Sequence, residues 1–167
     1  IRSTGADIRN GEIAHTGLIP FIKKWFGDLR SCCLTPDMWV DTTNGPKQMK
    51  DLRPGMPILT WDYNNSIVAF QSISDVFETT VPHDDQRVVH FSNGVKVYCS
   101  NNHPIMTDDR REVKPDSIRG NDKVIGTDGT VTCTDVLDDN RDTRYIDITV
   151  EDTHTFFTSS ERMGNRV

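Results

Sequence analysis

Asn44-Gly45, Asn93-Gly94 and Asp128-Gly129 each stand between two stretches in which apolar and polar residues alternate. Asn-Gly and Asp-Gly pairs take the positive φ of tight hairpin turns, and a period of two gives a strand one dry and one wet face. The pattern predicts strands in "MWVDT" (38–42), "MPILTWD" (56–62) and the long "IVAFQSISDVFETTV" (67–81). Two more form the arms of "QRVVHFSNGVKVYCS" (86–100), two the arms of "KVIGTDGTVTCTDVL" (123–137), and two lie in "RYIDITVEDTHTFFT" (144–158). "YNNS" (63–66) reads as a turn and "PDSIRG" (115–120) as at most one helical turn. The fold class expected after residue 33 is all-β, with many short strands and no internal repeat.

Residues 1–32 follow a different rule. In "GLIPFIKKWFGDLRSC" (17–32), Phe21, Ile22, Trp25, Phe26 and Leu29 recur at helical spacing, with Pro20 suited to a first turn. Nothing else in residues 1–32 can cover that apolar face, so its partner is expected in chain outside this sequence. The opening "IRSTGADIRN" has no initiator Met and no apolar signal region, which reads as a piece of a longer protein. Nineteen Lys and Arg against 25 Asp and Glu leave a net charge of -6, the wrong sign for a nucleic-acid partner. No apolar run reaches the roughly 18 residues of a membrane span. The four cysteines, Cys32, Cys33, Cys99 and Cys133, fit no zinc spacing and suggest a reducing compartment. A cytoplasmic protein without metal or cofactor is the expectation.

Candidate chemistry clusters in three places. Cys33 opens the β portion at the seam, as a buried thiol or a nucleophile. Ser100 and His103 are three apart, where a strand stops before Pro104; a hydroxyl and an imidazole in one tight turn can converge on a peptide group. Asp147 lies between Ile146 and Ile148, and His154 follows at the next turn. Facing inward, that carboxylate would gain an acid-base role through desolvation; facing outward, it would be inert. Cys99 and Cys133 read as core or edge residues without chemistry, and His15, His83 and His90 read the same way.

Taken together, residues 33–158 resemble the intein family, whose Hint fold is shared with the Hedgehog autoprocessing domain. "CLTPDMWVDTTNGPKQMKDLRPGMPILTWD" looks like the family's opening block: a nucleophilic Cys, a strand, a turn, and a step "Asp-Leu-x-x-Gly" into the next strand. Met56 stands where the family usually has an acidic residue. "GVKVYCSNNHPIMT" looks like the second block, with Ser100-x-x-His103 for the usual Thr-x-x-His. "RYIDITVEDTHTFFT" looks like the block that supplies an Asp and a His, here Asp147 and His154. Residues 1–32, "GADIRNGEIAHTGLIPFIKKWFGDLRSC" within them, resemble a stretch of the class I ribonucleotide reductase large subunit. By this resemblance residues 1–32 are a host segment, residues 33–167 a splicing domain with a horseshoe of short strands, and Cys32–Cys33 the scissile junction.

The resemblance implies a mechanism. Cys33 Sγ attacks the Cys32 carbonyl, His103 protonates the departing amine, Ser100 holds the peptide and steadies the oxyanion, and Asp147 positions or deprotonates the thiol. The first residue after the domain, a Ser, Thr or Cys, then captures the acyl group by transesterification, a terminal Asn cyclises with help from His154, and an acyl shift restores the host peptide bond. The family ends in an apolar strand and His-Asn, whereas this chain ends "SSERMGNRV". Either "NRV" begins a last strand that is cut short, which is the favoured reading, or Asn165 is the terminal Asn. In the second case Arg166 is no acyl acceptor, and the domain cleaves without ligating. The short stretch between His103 and Asp147 leaves no room for a homing endonuclease, as in a mini-intein. Such a domain acts in cis on its flanks, as a monomer. The rival readings are a cleavage-only, Hedgehog-like or bacterial intein-like domain and a non-catalytic β binding module. Ribonucleotide reductase activity is not expected of this fragment.

Overall fold

A computed structural model describes residues 1–2, 33–141 and 144–167. The helix predicted over 20–29 lies outside the described residues, as does Cys32.

The strands are β1 (Trp39–Thr42), β2 (Gly45–Gln48), β3 (Pro57–Asp62), β4 (Ile67–Thr80), β5 (Gln86–Phe91) and β6 (Lys96–Ser100), followed by β7 (Ile105–Met106), β8 (Glu112–Val113), β9 (Lys123–Gly126), β10 (Gly129–Asp138) and β11 (Arg144–Val150). They form a five-stranded sheet in the order β11-β4-β3-β1-β2, a four-stranded sheet β6-β5-β10-β9, and the small pair β7-β8. The pairings are antiparallel throughout. The Asn93-Gly94 turn closes β5 onto β6, with Gly94 at φ 86°, a region that suits a residue without Cβ. The turn between β9 and β10 is one residue earlier than its Asp-Gly pair suggests. Gly126 pairs with Gly129, so Thr127 and Asp128 occupy the corner. "PDSIRG" contributes one 3-10 turn at Pro115–Ser117, joined by two that the sequence pattern does not signal, at Met49–Asp51 and His83–Asp85.

β4 is long because it serves two partners. Residues Ile67–Ser72 pair with β3, and Ile73–Thr80 pair with β11, with a register shift where Thr149 and Val150 meet the change-over. One strand thus turns two ladders into a single curved surface. Its inner side and that of the second sheet close on one core, which includes Leu34, Met38, Ile58, Val89, Val97 and Ile148. Burying a side chain such as Leu34, which is fully enclosed, contributes roughly 2 kcal/mol.

The second strand expected in "RYIDITVEDTHTFFT" takes another form. Residues 155–159 are extended but touch several short neighbours in turn: Arg2 at Thr155, Leu59 at Phe157, Val167 at Thr158 and Trp39 at Ser159. The partner changes at almost every step, so no continuous ladder forms there. No helix among the described residues is long and apolar enough to cross a membrane.

Candidate functional site

The residues Cys33–Thr35 zip the two sheets together. Leu34 exchanges both backbone hydrogen bonds with Ile146 of β11 (3.0 and 2.8 Å), and Thr35 N–H donates to Tyr98 of β6 at 3.1 Å. Leu34 also bridges Cys99. Stepping back one residue in both antiparallel registers sets Cys33 between Ser100 on β6 and Asp147 on β11. Cross-strand partners share a face of a sheet. Cys33, Ser100 and Asp147 are all buried.

Two hydrogen bonds hold Cys33 to Ser100. The Ser100 amide donates to the Cys33 carbonyl (2.8 Å), and the Cys33 amide donates to Ser100 Oγ (2.8 Å). The second concerns the nitrogen of the Cys32–Cys33 peptide bond itself. The serine hydroxyl is therefore seated on the nitrogen side of that bond. The carbonyl belongs to Cys32, outside the described residues.

A tight turn follows β6. The His103 amide donates to the Ser100 carbonyl (3.0 Å), which folds the imidazole back under the strand end. The ring is buried and stands edge-on to Phe156, centroids 6.4 Å apart. Asn101 in the same turn is braced from outside. Its side-chain amide donates to Asp116 and its carbonyl oxygen accepts from the Asp116 amide, while Arg87 grips the same carboxylate at 2.9 Å. The Arg87 guanidinium holds the Asp116 carboxyl below the usual carboxylate range. The brace is therefore intact above that range and loosens as pH falls through the lowered value.

His154 follows β11 in the next turn. Its backbone is left-handed (φ 52°), and Nδ1 lies 2.9 Å from the Val150 carbonyl. A carbonyl only accepts, so in the neutral ring Nδ1 carries the proton and Nε2 keeps its lone pair. The half-buried ring lines a concavity of about 310 Å³ with Arg2, Tyr63, Gln71, Arg110 and Asp152. Asn165 is exposed and lies beside Asn93 and Gly94, at the hairpin end of β6, whereas Ser100 ends the strand. Five residues of strand separate Val95 from Ser100, about 17 Å at 3.3 Å per residue.

No family model and no curated protein sequence matches the chain. Solved structures do. A bacterial intein-like domain from Clostridium thermocellum aligns with a TM-score of 0.68 at 13% identity, over 81% of this chain and 97% of that one. The PabCDC21-1 intein gives 0.67 at 13% identity, covering 81% and 98%. A DnaB intein from Synechocystis sp. PCC 6803 gives 0.64 at 15% identity, covering 77% and 94%. This is the Hint fold. The all-β expectation and its horseshoe of hairpins hold for the described residues.

Two further cysteines lie among the described residues. Cys99 is fully buried, and desolvation pushes its thiol far up. Cys133 is half-buried, its thiol also raised by desolvation. Among the described residues no group of His, Cys, Asp and Glu is arranged to hold a metal ion.

Arg166 is the residue that the sequence pattern undervalues. It reads there only as a group unable to accept an acyl chain, yet its side chain is 2% exposed. The guanidinium reaches Asp41 (3.2 Å) and donates to the carbonyls of Glu161 and Arg162. Its backbone pairs with Thr127, whose amide donates to the Arg166 carbonyl. A Cβ on Gly126 would stand 3.0 Å from that carbonyl, so the glycine permits the close approach. The only signal in sequence is an arginine between Asn165 and Val167 in an otherwise strand-like end.

Ser100→Ala tests the contact to the peptide nitrogen. The variant leaves the buried Cys33 N–H without its hydroxyl acceptor, an expected loss of about 1–2 kcal/mol. If that contact also serves the reaction, thiol-dependent release of residues 1–32 slows about 10- to 100-fold, and Ser100→Thr restores most of the rate. An unchanged rate confines Ser100 to a structural role.

Proposed function

We propose that residues 33–167 are a self-processing domain of the protein-splicing class, acting in cis on the peptide bond between Cys32 and Cys33. The observation that carries this reading is the seat of Cys33: a buried thiol whose own amide nitrogen is bound by Ser100 Oγ, with Asp147 on the opposite register position. The first step is an N-to-S acyl shift. Cys33 Sγ adds to the Cys32 carbonyl, the C–N bond breaks as a C–S bond forms, and the thiol proton ends on the Cys33 amine. In this reading Asp147 takes the thiol proton or orients the thiol, and His103 returns a proton to nitrogen. The shift is neutral in atoms and needs no cofactor.

The resemblance of residues 1–32 to a class I ribonucleotide reductase large subunit supports such a host. In this reading the acyl group then passes from Cys33 Sγ to the hydroxyl or thiol of a residue downstream of the domain, an Asn at the domain's end cyclises with help from His154 and breaks the second junction, and an acyl shift restores a peptide bond between the host pieces. A cleavage-only reading has one observation in its favour: Asn165, the one Asn of the final segment, stands at the far end of β6 from Cys33. The reading of the cluster as the framework of a β binding module predicts no chemistry at all.

Intact-mass spectrometry after incubation with dithiothreitol separates self-processing from the binding-module reading. A thioester at Cys33 releases residues 1–32 as a thiol adduct and leaves 33–167. A chain that stays whole while circular dichroism reports a folded β protein overturns the proposal.

A further inference from the structure

β11 is buried on both sides, and the two sides differ in kind. Ile146, Ile148 and Val150 belong to the main core. The alternate residues Tyr145, Asp147 and Thr149 share the opposite side, and all three are polar and buried. Strands enclosed on both faces usually read as continuous apolar runs, so a dry polar row calls for a reason. Leu34 pairs with Ile146 and bridges Cys99, which sets Cys33 directly opposite Asp147 and makes Tyr145 its diagonal neighbour. A diagonal on one sheet face is within reach of an aromatic side chain. The packing agrees: Tyr145, Cys33 and Val81 form a small cluster separate from the main core.

The phenol has no bond to make in that cluster. Tyr145 is 0% exposed, and among the described residues its hydroxyl has no hydrogen-bond partner. A buried hydroxyl left unpaired costs free energy, and buried tyrosines usually find a partner. Phenylalanine would fill the same space without that cost. The main-chain donors nearest the thiol are already engaged: the Cys33 amide with Ser100 Oγ, and the Ser100 amide with the Cys33 carbonyl. Desolvation pushes the Tyr145 phenol well up, so it keeps its proton to donate.

We propose that the Tyr145 hydroxyl is a catalytic hydrogen-bond donor, kept unpaired in the resting fold for the negative charge that develops on Cys33 Sγ. Its role deepens the self-processing reading and rests on it. Asp147 takes the thiol proton, and the charge moves to sulfur inside a buried site. The phenol turns about its C–O bond and donates to the sulfur. It loses no proton and forms no covalent bond. When Sγ adds to the Cys32 carbonyl, the charge passes to the carbonyl oxygen and the phenol is free again. A positioned donor is strongest at low dielectric, beside an anion that water does not reach.

Tyr145→Phe in the whole chain tests this. Thermal circular dichroism should show a Tm unchanged or raised, because the lost hydroxyl has no partner in the fold. Dithiothreitol-dependent release of residues 1–32 should slow about 10- to 100-fold, the worth of a hydrogen bond to a charged group. A second readout does not depend on release: the Cβ chemical shift of Cys33, followed against pH in cysteine-labelled protein. A donor to the thiolate favours the charged form, so its loss moves the midpoint up, by about one pH unit or more. The charges near the pair are untouched by the substitution: Asp147 opposite the thiol, His103 in the turn after Ser100, and Asp37, Asp139 and Arg141 near the phenol. If the wild type releases residues 1–32 and Tyr145→Phe does so equally fast, the donor is overturned and the self-processing reading stands. Slower release with an unmoved midpoint also overturns donation to sulfur. If the wild type releases nothing, the self-processing reading fails; a raised midpoint then still supports the donor, and an unmoved one overturns it as well. A Tm that falls by more than about 4 °C overturns it too, since the hydroxyl would then serve the fold.

Discussion

Replacing Cys33 by alanine is expected to abolish thiol-dependent release of residues 1–32, a loss of at least about 10³-fold, as when a covalent nucleophile is removed elsewhere. The domain itself should survive. Cys33 is fully buried and packs in a small cluster with Val81 and Tyr145, so trimming one sulfur there costs about 1 kcal/mol. Its backbone contacts to Ser100 do not need the side chain. Cys33→Ser separates nucleophile strength from position: the hydroxyl occupies the same place but is far less ionised, so release should slow without vanishing. Cys99→Ala and Cys133→Ala are the matched controls, since neither residue adjoins the Cys32–Cys33 bond. Release that persists in Cys33→Ala would move the chemistry away from the seam. Intact-mass time courses on the variants read all of these outcomes.

The second large effect concerns stability. Arg166→Ala removes a buried guanidinium and leaves the carbonyls of Glu161 and Arg162 and one side of Asp41 without their donor. Removing one partner of a buried pair costs about 3–5 kcal/mol; Asp41, 30% exposed, recovers some hydration, so about 3 kcal/mol is expected here. For a chain of this size that lowers Tm by about 6–12 °C. Arg166→Lys should recover little, because an ammonium cannot span a carboxylate and two carbonyls in one plane. A shift under about 2 °C by thermal circular dichroism would mean that the guanidinium contributes nothing net.

The hairpins were legible because their signals are local. Asn93-Gly94 and the alternation on either side of it specify a turn and two strands within fifteen residues. Cys33 was legible by its place at the change from helical to strand periodicity, and Ser100 and His103 by their spacing before Pro104. Their mutual placement was not, since Cys33 meets Ser100 across 67 positions through a bridging segment that belongs to neither sheet. Arg166 escaped for the same reason. Burial of its charge depends on Asp41, 125 positions away, and no pattern near the chain end announces that partner. Asn165 shows the converse: its spacing from His154 invites a catalytic role, but spacing cannot tell which end of β6 the loop reaches. Residues 155–159 alternate as a strand should, yet only the fold could reveal that their neighbours are fragments.

The bridging of β6 to β11 by Cys33–Thr35 also sets a clock on synthesis. Cys33 leaves the ribosome early, but Ser100 follows 67 positions later, and Ile146, which pairs with Leu34, over a hundred. At ordinary translation speeds of about 5–20 residues per second, the thiol waits several seconds or more without the neighbours it meets in the fold. Contacts this distant in sequence form late in folding. Under the proposed function, a nascent chain that stalls before β11 carries a dormant cysteine, and the upstream segment stays attached until β11 has been made.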